Sequence, residues 1–173
     1  GQWDSFVEEL VASEKDLSFL PTSSGAKPKT IASVAIEKVE RMSTGISEFD
    51  RVLGGGIVPG SLILLAGDPG IGKSTIALDA GIKFGNKGIK VLYVSGEESE
   101  AQTAMRANRL GKSGDNLLIM TATDLPQILL QAQKENPKIL VIDSIQTMFN
   151  SELETSAGSV GQVRECTSKL LRF

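Results

Sequence analysis

At 173 residues the chain is long enough to bury one core, and its 40% hydrophobic and 23% charged content is that of an ordinary globular domain. A net charge of −3 excludes the broad basic footprint of a dedicated DNA-binding domain. One cysteine and no histidine exclude an internal disulfide and argue against a transition-metal site.

The chain opens on GQWDSFVEELVASEKD, acidic and amphipathic and unlike a secretion signal. Trp3, Phe6, Val7 and Leu10 fall at helical spacing, which predicts a short helix over 3–12. PTSSGAKPKT (21–30) has the Pro, Ser, Gly and Lys content of a flexible linker. Residues 1–35 are therefore expected to precede a folded unit at 36–173. No run anywhere approaches the ~20 apolar residues of a membrane span, so the expectation is a cytoplasmic protein with no membrane partner.

From residue 60 onward strands and helices alternate. SLILLA (61–66) reads as a short buried strand, followed by a helix from Lys73 to Phe84 that the turn GNKG ends. KVLYVS (90–95) is the next strand. Ser99 with Gln102 forms a capping box for a helix to Leu110, with Gly111 just beyond it. NLLIM is a third strand. Asp124 caps a helix whose first turn takes Pro126 and which Pro137 stops. KILVID (138–143) is a fourth strand, and Ser159 with Gln162 offers another capping box, for a final helix to about Arg172. Cys166 reads as a small buried residue of that helix. Near-continuous apolar strands separated by helices imply an α/β fold, a mostly parallel sheet covered by helices on both faces.

Between the first strand and its helix lies GDPGIGKST: Gly67, Asp68, Pro69, Gly70, Ile71, Gly72, Lys73, Ser74 and Thr75. It fits G-x-x-x-x-G-K-[ST] in the strand–helix context that this phosphate-binding motif requires. Glycines let successive backbone amides turn toward a phosphate, and the helix N-terminus adds its positive dipole end. Lys73 supplies a mobile cation for the β- and γ-phosphates of ATP, Ser74 a hydroxyl for Mg²⁺, and Thr75 neighbours the α-phosphate. Asp143, closing a buried apolar strand, is the carboxylate expected to hold the metal's water shell. Ser144 and Gln146 follow it, as sensors of the γ-phosphate or as a plain polar loop. Hydrolysis to ADP needs a group that holds a water in line with the γ-phosphate. Glu97 and Glu98 emerge beyond the carboxyl end of the second strand, where ligand sites of open parallel sheets lie. Glu97 is the preferred candidate, the alternative being two solvated acids in the first turn of a helix.

The stretch RMSTGISEFDRVLGGGIVPGSLILLAGDPGIGKST (41–75) resembles the RecA-like branch of P-loop ATPases. YVSGEES, MRANRLG, VIDSIQT and SAGSVGQVRECTSKLLRF are in turn similar to the bacterial RadA (Sms) family of DNA repair proteins, so that the likeness covers residues 38–173. GQWDSFVEE resembles the segment just after that family's zinc finger, whose four cysteines this sequence lacks, as it lacks the Lys-Asn-Arg-Phe-Gly motif and the Lon-protease-like domain. The resemblance thus implies a C-terminally truncated RecA-like ATPase core and its preceding linker, with zinc confined to the missing finger. It also implies a homo-hexameric ATP-driven motor on single-stranded DNA, working beside the RecA recombinase in branch migration and strand-break repair. By the same likeness Lys73, Ser74 and Asp143 take the nucleotide–Mg²⁺ roles and Glu97 the hydrolytic one. Arg106 and Arg109 become candidates near the base or at a subunit boundary, the alternative being solvated charges on a helix face. NSELETSAGSVGQ (150–162) corresponds to a segment that can face DNA, although it is acidic up to Glu154 and has no aromatic after Phe149; Arg164 and Lys169 are the nearest cations. SGEES also suits a RecA-like ATPase of the clock or signalling kind, and the same loop suits an assembly module that hydrolyses little.

Overall fold

The computed structural model describes residues 28–33, 40–111 and 114–173; the helix expected over 3–12 lies outside them. Two units are distinguished, 1–38 and 39–173. Within the first, the described residues hold a 3-10 turn at Ile31–Ser33. The second contains α1 (Ser47–Val52), α2 (Lys73–Asn86), β1 (Val91–Ser95), α3 (Glu100–Leu110), β2 (Leu117–Thr121), α4 (Leu125–Glu135), β3 (Ile139–Asp143) and α5 (Val160–Arg172).

The sheet is parallel with order β2-β1-β3. Its central strand VLYVS is buried at every position, while β2 and β3 are half-buried. Alternation along β1 divides the core. Leu92 and Val94 pack with Leu125, Ile128 and Ala132 of α4 and Cys166 of α5. On the other face Val91 and Tyr93 meet Leu78, Ala80, Ile82 and Phe84 of α2 and Ala107 of α3. Burying each large apolar side chain contributes about 1.5–3 kcal/mol, so both layers are anchored mainly through β1.

The caps explain where the helices start. Ser99 accepts from the Gln102 amide and the Gln102 side chain returns to the Ser99 N–H, a complete capping box at α3. At α5 only half of the expected box forms. Ser159 accepts from the Gln162 amide, but the Gln162 side chain turns inward, accepting from Asn150 N–H at 2.8 Å and donating to the carbonyls of Asn150 and Thr155 at 3.2 and 2.8 Å. Three backbone partners in a buried site outweigh the one N-cap amide, which donates instead to the Ser156 carbonyl at 3.2 Å. Asp124 occupies the N-cap position of α4 without a side-chain cap bond, and Asn136, in the left-handed region at φ 47°, ends that helix before Pro137.

One expected strand is not formed. SLILLA joins neither edge of the β2-β1-β3 sheet, and Leu62 and Leu64 are 48% and 77% exposed. Apolar character reports what a segment is suited to bury. Strand formation further needs a partner edge in register, which the run itself does not encode.

Ahead of it, Met42 and Ile57 form an antiparallel bridge around α1 and the glycine turn. Gly56 has φ 131°, and a Cβ there would lie 2.5 Å from the Met42 carbonyl oxygen, so only glycine fits. Asp50 stitches this entry, accepting from Ser43 Oγ at 2.7 Å and from Thr44 N–H and Oγ1 at 2.8 and 2.7 Å. The Ser43 hydroxyl, then the Thr44 donors, hold its pKa at about 2.

Candidate functional site

The glycine-rich loop leads directly into α2, with Gly72 at its N-cap in the left-handed region at φ 101°. The first intrahelical bond at this end runs from Ile76 N–H to the Gly72 carbonyl. The amides of Lys73, Ser74 and Thr75 are consequently the helix donors without an intrahelical acceptor, at the positive end of the helix dipole. Lys73 folds back on the loop, its Nζ donating to the carbonyls of Gly67 and Asp68 at 2.8 Å each. A cation on a four-carbon stem held by neutral acceptors is free to exchange them for phosphate oxygens.

The sheet brings distant residues to this loop. Ser74 Oγ donates to Asp143 Oδ1 at 2.9 Å, linking the first turn of α2 to the tip of β3. Both donors are hard oxygens, which suit Mg²⁺ rather than a soft metal. No group of three or more His, Cys, Asp or Glu able to hold a metal occurs among the described residues. A divalent ion here would therefore complete its shell from phosphate oxygens and water.

Glu97 and Glu98 part company. Glu97 is exposed, and its Oε1 accepts from Ser144 Oγ at 3.0 Å. Glu98 is half-buried and accepts from Arg106 Nη1 at 3.1 Å, its own N–H held by Ser95 Oγ at 3.0 Å. Arg106 extends further, with Nη2 at 3.3 Å from the Tyr93 hydroxyl and 3.6 Å from Asp143 Oδ2. Tyr93 in turn donates to Asp143 Oδ2. Burial, then the Asp143 carboxylate, push the Tyr93 phenol far above its usual range, so it stays a donor.

The phosphate loop, Lys73, Ser74, Asp143, Glu97 and Ser144 thus lie around one end of the sheet, with Arg106 on its inner side. Arg109 and Gln146 are exposed and make none of these bonds. In the 150–162 segment, residues 151–158 are exposed, and Lys169 pairs with Glu152 at 2.6 Å.

Two residues of the site lie outside the sequence reading. Tyr93 stands in an apolar run and passes for core; its signal was a phenol two positions before the strand tip, on the same face as Ser95. Gly96 carries the other. A Cβ there would lie 1.9 Å from Thr147 Oγ1 and 2.8 Å from Thr147 Cβ, so its missing side chain admits the 3-10 turn Ile145–Thr147 beside the β1 tip. Its N–H donates to the Asp143 carbonyl at 2.8 Å.

Residues 33–173 match the family described as AAA domain. The chain is similar to the DNA repair protein RadA of Escherichia coli (strain K12), 50% identical over 99% of this chain and 38% of that protein. It is similar also to RadA of Pseudomonas aeruginosa (44% identical, 100% of this chain, 38% of the relative) and of Aquifex aeolicus (47%, 100% and 38%). The chain therefore spans 38% of the length of these curated relatives. No helix among the described residues is long and apolar enough to cross a membrane.

Proposed function

The chain belongs to the AAA domain family and is similar to bacterial RadA proteins along nearly all its length, and on that premise we propose that it is the ATP-binding and ATP-hydrolysing part of a DNA repair protein acting on single-stranded DNA. Residues 36–173 form the ATPase portion and 1–35 its leading linker. The observation that carries the reading is the Ser74–Asp143 bond, which sets the phosphate loop against the tip of β3.

The amides of Lys73, Ser74 and Thr75, with the loop Gly67–Gly72, bind the phosphates. Lys73 Nζ leaves the Gly67 and Asp68 carbonyls for the β- and γ-phosphate oxygens. Ser74 Oγ and the Asp143 carboxylate would hold Mg²⁺ and its water shell, and the ion would supply neutralisation of the phosphate charge. Glu97 orients a water toward the γ-phosphorus. As the new P–O bond forms and the bond to the β,γ-bridging oxygen breaks, the Glu97 carboxylate takes the water's proton. Glu97 suits this because it is exposed and Ser144 steadies one oxygen, whereas Glu98 is engaged by Arg106.

Assembly as a homo-hexamer, work beside the RecA recombinase in branch migration, a place in the cytoplasm where the chromosome lies, and DNA contact through 150–162 extend the same proposal. They rest on the likeness to RadA. The test is ATP turnover by the protein with and without single-stranded DNA at two salt concentrations. Turnover is expected to rise with DNA, and DNA binding to weaken steeply with salt; absence of both effects overturns the DNA-motor reading.

A further inference from the structure

A chain of polar contacts runs inward from the metal carboxylate and ends on the acid next to Glu97. In the β1–β3 register Ser95 pairs with Asp143 and Tyr93 with Val141. Tyr93 therefore reaches Asp143 along the diagonal of one sheet face, where a long side chain can bridge two residues. Its hydroxyl meets Oδ2, leaving Oδ1 to Ser74 at 2.9 Å. Arg106, delivered by α3, contacts Tyr93, Asp143 and Glu98 with one guanidinium. Arg106, Asp143 and Glu98 are only 24%, 20% and 35% exposed at their side chains, so the two carboxylates repel each other through little water. The guanidinium lies between them.

We propose that Tyr93 and Arg106 are positioning residues that hold the Asp143 carboxylate with Oδ1 turned to the phosphate loop, while Arg106 draws Glu98 inward and leaves Glu97 as the accessible acid. The proposal rests on the nucleotide reading above. Tyr93 gives direction without adding charge, since a neutral phenol can satisfy only one carboxylate oxygen from that side. Arg106 supplies the charge balance and needs its planar fork, because a lysine ammonium is a single point and cannot span three partners. Without the phenol, Oδ2 keeps only Arg106, and the carboxylate is drawn toward α3 and away from Ser74.

The experiment measures binding of a fluorescent ATP analogue by anisotropy, in Mg²⁺ and in EDTA, for the parent chain, Tyr93→Phe and Arg106→Lys, with thermal unfolding of each. Removing one hydrogen bond to a charged group is expected to weaken binding in Mg²⁺ about tenfold and to change binding in EDTA by less than about twofold. Tyr93→Phe removes a single oxygen from a buried ring, so it decides the question alone if Arg106→Lys unfolds. Binding equal to the parent in both conditions overturns the proposal, as does an equal loss in both, which marks a role in general packing. If the parent itself does not bind the analogue, or binds it without regard to Mg²⁺, the nucleotide reading fails and takes this proposal with it.

Discussion

Ser74 Oγ lies 2.9 Å from Asp143 Oδ1, so the first turn of α2 and the last residue of β3 share one hydrogen bond across the mouth of the site. Asp143→Asn keeps an oxygen there for Ser74 but removes the charge. ATP turnover is expected to fall about 10²–10³-fold, the usual cost of removing one preorganised electrostatic partner. Titration with Mg²⁺ checks the cause, since the variant should need more of the ion to reach its own maximum.

Gly96→Ala tests how closely the 3-10 turn approaches β1. The new methyl would lie 1.9 Å from Thr147 Oγ1 and 2.9 Å from Met148 Cε. Overpacking of this kind costs about 1–3 kcal/mol, and for a chain of this size each kcal/mol lowers Tm by about 2–4 °C. Thermal unfolding should show that drop, together with weaker nucleotide binding, because the Gly96 amide also holds the Asp143 carbonyl.

Gln102 and Gln162 occupy the same third position of a serine-capped helix, yet their removal should differ. Gln102 is exposed and serves only its cap, so Gln102→Leu should cost under about 1 kcal/mol. Gln162→Leu strips partners from buried Asn150 and from the Thr155 carbonyl, and should cost at least about 2 kcal/mol. Denaturant unfolding of the pair decides between them.

Asp50 gives a pH dependence. Its folded pKa of about 2 lies below its ordinary 3.8, so its contribution to stability is complete above 3.8 and is lost as the pH falls through about 2. The parent should therefore melt above Asp50→Asn at neutral pH. The difference should shrink below pH 3.8 and disappear only below about 2, which Tm measured across that range will show.

These expectations mark what the sequence could and could not show. Local signals were legible. Ser99 with Gln102, Gly111 beyond α3, Pro126 in the first turn of α4 and the apolar runs of β1 to β3 each lead to the element found. So was the phosphate loop, because its chemistry lies within nine consecutive residues. Whatever depended on a distant partner was not legible. SLILLA has strand composition without a paired edge, and Gln162 has capping chemistry but buried partners at Asn150 and Thr155. Tyr93 reads as core until β3 places Asp143 beside it. The separate surroundings of Glu97 and Glu98 likewise follow from Ser144 and Arg106, which the fold delivers from elsewhere.

The central claim is that an ATP bound at the α2 N-terminus is cut by a water that Glu97 holds. The most direct measurement is single-turnover ATP hydrolysis by Glu97→Gln beside the parent, with nucleotide affinity measured on the same samples. The account predicts turnover lower by about 10²–10⁴-fold with affinity within about threefold of the parent. Hydrolysis by Glu97→Gln as fast as the parent's would contradict it.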